Sequence, residues 1–355
     1  MRYDMTQSYE WNYGHSPDVE SLDPSGALRL ATDESSDSTE PEKFSFCGIP
    51  IAYPLGVAAG PLLNGRWVLH YASQGFSVLT YKTVRSRERA CYPLPNLQWI
   101  EELQAANGQH VKATSKRSDS WAISFGMPSM APKVWRADVE WTRDRMARDQ
   151  VLVVSVVATP EADWALTEIA DDYATCAEWA FEAGADVVEL NLSCPNVTSA
   201  DGQLYRSPQN IASVLDAVRA RVGNQPVVIK IGFIESNDLT RHILEVCRGR
   251  CRGIAMTNCL SCFVDDSQGP MFSGEPRGIG GPAIRDSSVK QIERFSKNKQ
   301  QLAINNLDLI GVGGISTAAH AAAYLDVGAS SVQVASAVMQ IDDLGFELQS
   351  AVRHP

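Results

Sequence analysis

The chain alternates between short, almost continuously apolar runs and longer segments of helical periodicity, and it does so eight times. The apolar runs are Leu55–Ala59, Ser77–Tyr81, Val151–Ala158, Asp186–Asn191, Pro226–Ile231, Gly253–Thr257, Leu307–Val312 and Ser331–Ala335. Between most of them lie segments with helical spacing, such as 171–183, 208–222, 239–248, 283–296 and 317–325. Strands that are apolar on both faces and alternate with helices form a parallel sheet covered by helices. Eight such units predict an α/β chain closed into a (β/α)8 barrel, with an open, doubly wound sheet as the rival arrangement. The span 84–150 holds Pro93, Pro95, Pro128 and Pro132 and no uninterrupted strand, so an irregular insertion is expected between strands two and three. An excursion of that length usually carries function.

Composition narrows the function class. With 355 residues and 44% hydrophobic content, the chain can fill one large barrel core over residues 44–355. Residues 1–43 are polar and acidic, with Asp33, Glu34, Asp37, Glu40 and Glu42 set among serines, and read as a partly disordered tail. A net charge of −11 argues against a surface that tracks nucleic-acid phosphates. The nearest approach to a membrane span, Ile49–Leu63, is broken by Pro54, Gly56 and Gly60, and no secretory apolar region opens the chain. Eight dispersed cysteines are unlike a disulfide framework, so free thiols in a reducing cytoplasm are expected.

In a β/α barrel the reactive groups stand where strands end. Strand two ends in Lys82-Thr83, strand four in Asn191, Cys194 and Asn196, strand five in Lys230, and strand six in Thr257-Asn258. Strands seven and eight end in Gly313-Gly314 and Ala335-Ser336, small residues whose backbone N–H groups suit a phosphate. Lys230 brings a charge into an apolar strand, where it needs an anion or an electron-rich ring unless it reaches solvent at the rim. Cys194 sits between two carboxamides; a thiol of ordinary pKa ~8.5 serves as a base near neutrality after a modest downward shift. The bland alternative is a structural cysteine. Together these residues suggest a phosphorylated cofactor, lysines beside its ring, and a thiol base facing a carboxamide-lined pocket. Flavin mononucleotide (FMN) satisfies that description.

Two weaker signals receive bland readings. Cys259 and Cys262 have metal-ligand spacing, with Cys247 and Cys251 nearby, but their places suit packing, and no metal site is expected. The run Arg85-Ser86-Arg87-Glu88-Arg89 reads as a solvated charged face.

Asn191-Leu192-Ser193-Cys194-Pro195-Asn196 resembles the most specific signature of the dihydroorotate dehydrogenase family, and the cysteine is similar to that of its class 1 members. Lys82 followed by Tyr92-Pro93-Leu94-Pro95, then Ser124-Phe125-Gly126-Met127-Pro128, Arg277-Gly278-Ile279-Gly280-Gly281 and Gly311-Val312-Gly313-Gly314-Ile315 resemble family blocks in family order. The resemblance implies an FMN-dependent barrel that oxidises a dihydropyrimidine, with Cys194 as base and hydride passing to flavin N5. It implies flavin contacts at Ala58, Ala59, Gly60, Lys82, Thr83, Asn191, Lys230, Thr257, Gly281, Gly313, Gly314, Ala335 and Ser336. It implies substrate contacts at Lys82, Ser124, Gly126, Met127, Asn191, Asn196, Asn258 and Cys259. A homodimer is implied on the same ground.

Three departures bear on the substrate. Where members that oxidise dihydroorotate present a fourth asparagine, this chain has Ile123, which neither donates nor accepts; Ser124 is the available substitute. Cys259 stands where the family usually has a hydroxyl, and the stretch 96–120 is longer than in compact class 1 members. A non-pyrimidine cyclic or enone substrate, or a non-catalytic flavin-binding relative, are therefore the alternatives. No second nucleotide-binding unit is visible, so the electron acceptor is expected to be a separate molecule or protein partner.

Overall fold

A computed structural model describes residues 3–20, 44–193, 200–350 and 352. After helix α1 (Tyr9–Gly14), a hairpin of β1 (Phe44–Phe46) and β2 (Ile49–Ile51) leads into β3 (Leu55–Val57), α2 (Gly65–Ala72) and β4 (Val78–Val84). Three short strands follow, β5 (Leu97–Trp99), β6 (His110–Lys112) and β7 (Trp121–Ile123), then α3 (Pro132–Arg143). Regular units come next: β8 (Val151–Val156), α4 (Leu166–Glu182), β9 (Val187–Asn191), α5 (Pro208–Val222), β10 (Val227–Lys230), α6 (Asn237–Cys247) and β11 (Gly253–Met256). A second excursion holds β12 (Leu260–Asp266), β13 (Gly269–Pro270) and β14 (Arg277–Gly280). The chain closes with α7 (Arg285–Gln301), β15 (Asp308–Val312), α8 (Ala318–Asp326), β16 (Ser331–Val334) and α9 (Leu344–Gln349).

Strands β3, β4, β8, β9, β10, β11, β15 and β16 form a closed parallel barrel, each matching one of the eight apolar runs. Their alternation sorts side chains into two cores, because successive residues of a strand point to opposite faces. Leu79, Leu152, Val188, Ile229, Ile254 and Leu309 pack outward against the helices. Val78, Val153, Val187, Val228, Ala255 and Ile310 pack together inside the barrel, where Phe46, Cys47 and Ile51 of the hairpin join them. Helix starts follow side-chain capping: Asn64, Ser207, Ser236 and Thr317 each accept a hydrogen bond from the third backbone N–H beyond them.

The structure differs from the sequence expectation in three places. The insertion between barrel strands two and three is present but has a partner, since β7 pairs antiparallel with β14 of the excursion after strand six. The two excursions thus share one sheet with its own core of Ile100, Val111, Ala122, Leu260, Cys262, Val264 and Ile279. Residues 3–20 do not behave as a polar tail: Tyr3 and Tyr9 enter the main core. Trp67 Nε1 donates to Asn12 O at 3.1 Å and Asn64 Nδ2 to Tyr13 O at 3.0 Å. The acidic stretch at 33–42 lies outside the described residues. Arg85, expected on a solvated face, is fully buried.

Candidate active site

A cavity opens where the barrel strands end, between the barrel mouth and the sheet built by the two excursions. Most of the rim residues singled out in the sequence line it: Ala59, Gly60, Lys82, Thr83, Met127, Asn191, Lys230, Asn258, Cys259, Gly281, Gly313, Gly314, Ala335 and Ser336. Ala58, Ser124, Gly126 and Thr257 do not line it. Ala58 packs into the barrel interior, and Gly126 is overlain by the Tyr92 ring. The Ser124 hydroxyl accepts from Arg277 Nε at 2.9 Å, so it is turned to a different partner from the one expected of it. Cys194 and Asn196 lie outside the described residues, although Ser193, directly before Cys194, lines the cavity.

The polar wall is held from below. Asn191 closes β9, and Tyr173 OH donates to its backbone carbonyl at 2.8 Å. Asn191 Nδ2 lies 3.4 Å from Thr83 Oγ1 and 3.6 Å from Met127 Sδ. Asn258 Nδ2 donates to Ser193 O, tying the strand-six rim to the segment that leads into Cys194. Lys82 and Lys230 are 8% and 4% exposed, so each ammonium is almost wholly removed from bulk water. Lys82 Nζ stands 4.9 Å from the centre of the Phe125 ring, within cation–π range. The facing wall is apolar: Leu97, Trp121, Ile123, Phe125 and Ile284.

One end of the cavity is shaped by close backbone approach. Gly281 (φ +87°) and Gly314 (φ +65°) adopt left-handed conformations, and a Cβ on Gly314 would stand 2.9 Å from Gly281 O. A Cβ on Gly281 would meet Asp119 O at 2.2 Å. Only glycine meets both conditions without strain. Both glycines line the cavity together with Gly313, Ala335 and Ser336, small residues of the kind that can present main chain to a phosphate.

Sequence reasoning missed Glu189, which also lines the cavity and is 1% exposed. Its Oε2 lies 3.9 Å from Lys230 Nζ on the neighbouring strand. The signal was present, because a carboxylate and an ammonium in adjacent apolar strands each need a partner. Among the described residues no cluster of His, Cys, Asp or Glu could hold a metal ion, and no helix is long and apolar enough to cross a membrane. Cys247 and Cys251 are buried in the main core, and Cys262 Sγ donates to Ala106 O at 3.2 Å.

A family model described as dihydroorotate dehydrogenase matches residues 43–347. A dihydroorotate dehydrogenase from Dictyostelium discoideum is 30% identical over 95% of this chain and 93% of its own. The catalytic subunit of an NAD(+)-type dihydroorotate dehydrogenase B from Maridesulfovibrio salexigens is 29% identical over 53% of this chain and 63% of its own. The ligand-free crystal structure of DHODH from Eimeria tenella superposes with a TM-score of 0.70, at 18% identity, over 92% of this chain and 90% of that one. That last likeness concerns the fold. The protein belongs to the dihydroorotate dehydrogenase family and is an oxidoreductase acting on a CH–CH bond.

Proposed function

We propose that the protein oxidises dihydroorotate or a closely related dihydropyrimidine, using FMN held in the barrel-mouth cavity. The observation that carries this reading is the convergence of two buried lysines, two carboxamides and a glycine-shaped cradle on one cavity. The cavity fits FMN on two counts. Gly281, Gly313 and Gly314 line one end of it with main chain, in turns that close packing reserves for glycine, and exposed backbone N–H groups suit a phosphate. Glu189, which lines the cavity, has its Oε1 buried with no hydrogen-bond partner among the described residues. Buried polar atoms of that kind are normally satisfied, by water or by a ligand edge.

In this reading Gly281, Gly313, Gly314, Ala335 and Ser336 hold the phosphate, while Ala59, Gly60, Thr83 and Lys230 border the ring. Asn191, Asn196 and Asn258 orient the substrate ring, with Lys82 supplying positive charge beside it. Cys194 takes the proton from one substrate carbon as the hydride leaves its neighbour, and a C=C bond forms between them. Bound FMN supplies the hydride acceptor, at N5, and gains one negative charge on reduction. The apolar wall keeps water from the reacting atoms. A homodimer, a cytoplasmic setting and a separate electron acceptor complete the proposal; seven described cysteines outside any disulfide support the reducing compartment.

Ile123 favours a second reading, in which the substrate presents an apolar edge at that point. The residue lines the cavity, and the Ser124 hydroxyl that could have replaced a carboxamide is engaged by Arg277. A substrate polar atom buried without its partner costs ~1–3 kcal/mol. Anaerobic titration of the flavin band with dihydroorotate and then dihydrouracil separates the readings. Bleaching by dihydroorotate supports the first; a yellow protein that neither compound bleaches supports the second, and a protein that takes up no FMN overturns both. Under the first reading, Ile123→Asn lowers the half-saturating dihydroorotate concentration by about tenfold, on the same energetic ground.

A further inference from the structure

We propose that Glu189 is the resident counter-ion of Lys230, a positioning residue that fixes the ammonium under the cofactor ring and sets the cofactor's reduction potential. The inference rests on the FMN reading above. The charged residues lining the cavity are Lys82, Lys230 and Glu189, so the mouth carries two cations and one anion. Glu189 and Lys230 sit on adjacent strands, where Val228 is the register partner of Glu189 and Lys230 that of Asn191. Both therefore point to the barrel interior with Val187 and Val228, and their side chains are 2% and 5% exposed.

The contact is 3.9 Å from Lys230 Nζ to Glu189 Oε2, and Glu189 Oε1 has no hydrogen-bond partner among the described residues. A buried carboxylate with an unsatisfied oxygen, aimed at the floor of a ligand cavity, is a costly arrangement to keep for packing alone. An isosteric glutamine would preserve the volume without the charge. What the carboxylate adds is a negative potential at close range in a poorly screened interior.

That charge acts differently on the two states of the cofactor. With the oxidised, neutral ring, Glu189 balances Lys230. After uptake of a hydride, two electrons and one proton, the ring bears a negative charge, and Glu189 then opposes part of the attraction that Lys230 exerts on it. Glu189 thereby holds the potential below the value Lys230 alone would set, which favours passage of electrons to the next acceptor.

The test is the midpoint potential of the FMN-loaded protein, read with the dissociation constant for oxidised FMN from titration of apoprotein. Glu189→Gln keeps an amide oxygen to receive Lys230 and raises the net charge of the floor by one. The ratio of affinities for reduced over oxidised FMN is expected to rise tenfold or more, an upward shift of at least 30 mV for a two-electron couple. Lys230→Met shifts the potential downward, and the double variant returns toward the wild-type value. Should Glu189→Gln not fold, Glu189→Asp retains the charge at greater distance from Lys230 and gives a smaller upward shift. A potential that stays unchanged or falls in whichever variant folds overturns the role of Glu189, while wild-type protein that takes up no FMN overturns the cofactor reading instead.

Discussion

Cys194→Ala is expected to slow dihydroorotate-driven bleaching of the bound flavin by about 10²–10⁴-fold, the usual contribution of a positioned general base. The visible spectrum and FMN content should stay those of the wild type, because the residues proposed to hold the phosphate, and Lys230, lie on other elements. Proton removal requires the thiolate, so the wild-type rate rises with pH through the thiol's range, and the variant's profile flattens. Cys194→Ser should fall between the two, since a hydroxyl is a far weaker base near neutrality. The expectation draws on Ser193, which lines the cavity immediately before Cys194 and is tied to the strand-six rim by Asn258. Stopped-flow anaerobic reduction is the measurement, and an unchanged rate in Cys194→Ala removes the thiol from the mechanism.

The barrel was legible because its strands are buried on both faces and read as unbroken apolar runs. A strand such as Val151–Val156 declares itself without knowledge of its neighbours. The sheet over the mouth was not legible for the opposite reason. Strands β5, β6 and β7 are three residues each, too short to display a period of two, and they exist through partners far along the chain, as in Gly278 opposite Ile123. The polar residues of the rim were legible as a group, since Lys82, Asn191, Lys230 and Asn258 are odd enough at strand ends to be noticed singly, and all four line the cavity. Glu189 escaped because it lies two residues inside the strand, and only the inward parity it shares with Lys230 of the next strand marks it. Helix α1 escaped too: six residues carry little periodicity, and its hold on the barrel comes from backbone carbonyls that accept from Trp67 and Asn64.

Arg85 carries the second large expectation. A run of three arginines and a glutamate looked like solvated surface, yet the first of them is the most buried cation among the described residues, at 0% exposure. Its Nε donates to Met127 O at 3.0 Å and its Nη1 to Ala158 O. Trp135 Nε1 in turn donates to the Arg85 carbonyl at 3.1 Å. The guanidinium therefore joins the end of barrel strand three to the cavity-lining turn at Met127, a turn that Met127 enters at φ +53°. Arg85→Met keeps much of the volume but strips two buried carbonyls of charged donors. Hydrogen bonds to charged groups are worth ~1.5–3 kcal/mol each, so the loss of two should total about 3–6 kcal/mol. Equilibrium unfolding in guanidinium chloride would record it as a lowered midpoint. Met127 touches Asn191, so under the proposed assignment the half-saturating substrate concentration should also rise, while affinity for FMN, assigned there chiefly to the ends of strands seven and eight, should hold. Loss of stability without any change in substrate saturation would restrict Arg85 to the fold, and loss of FMN together with substrate would mean that the two halves of the cavity are mechanically one.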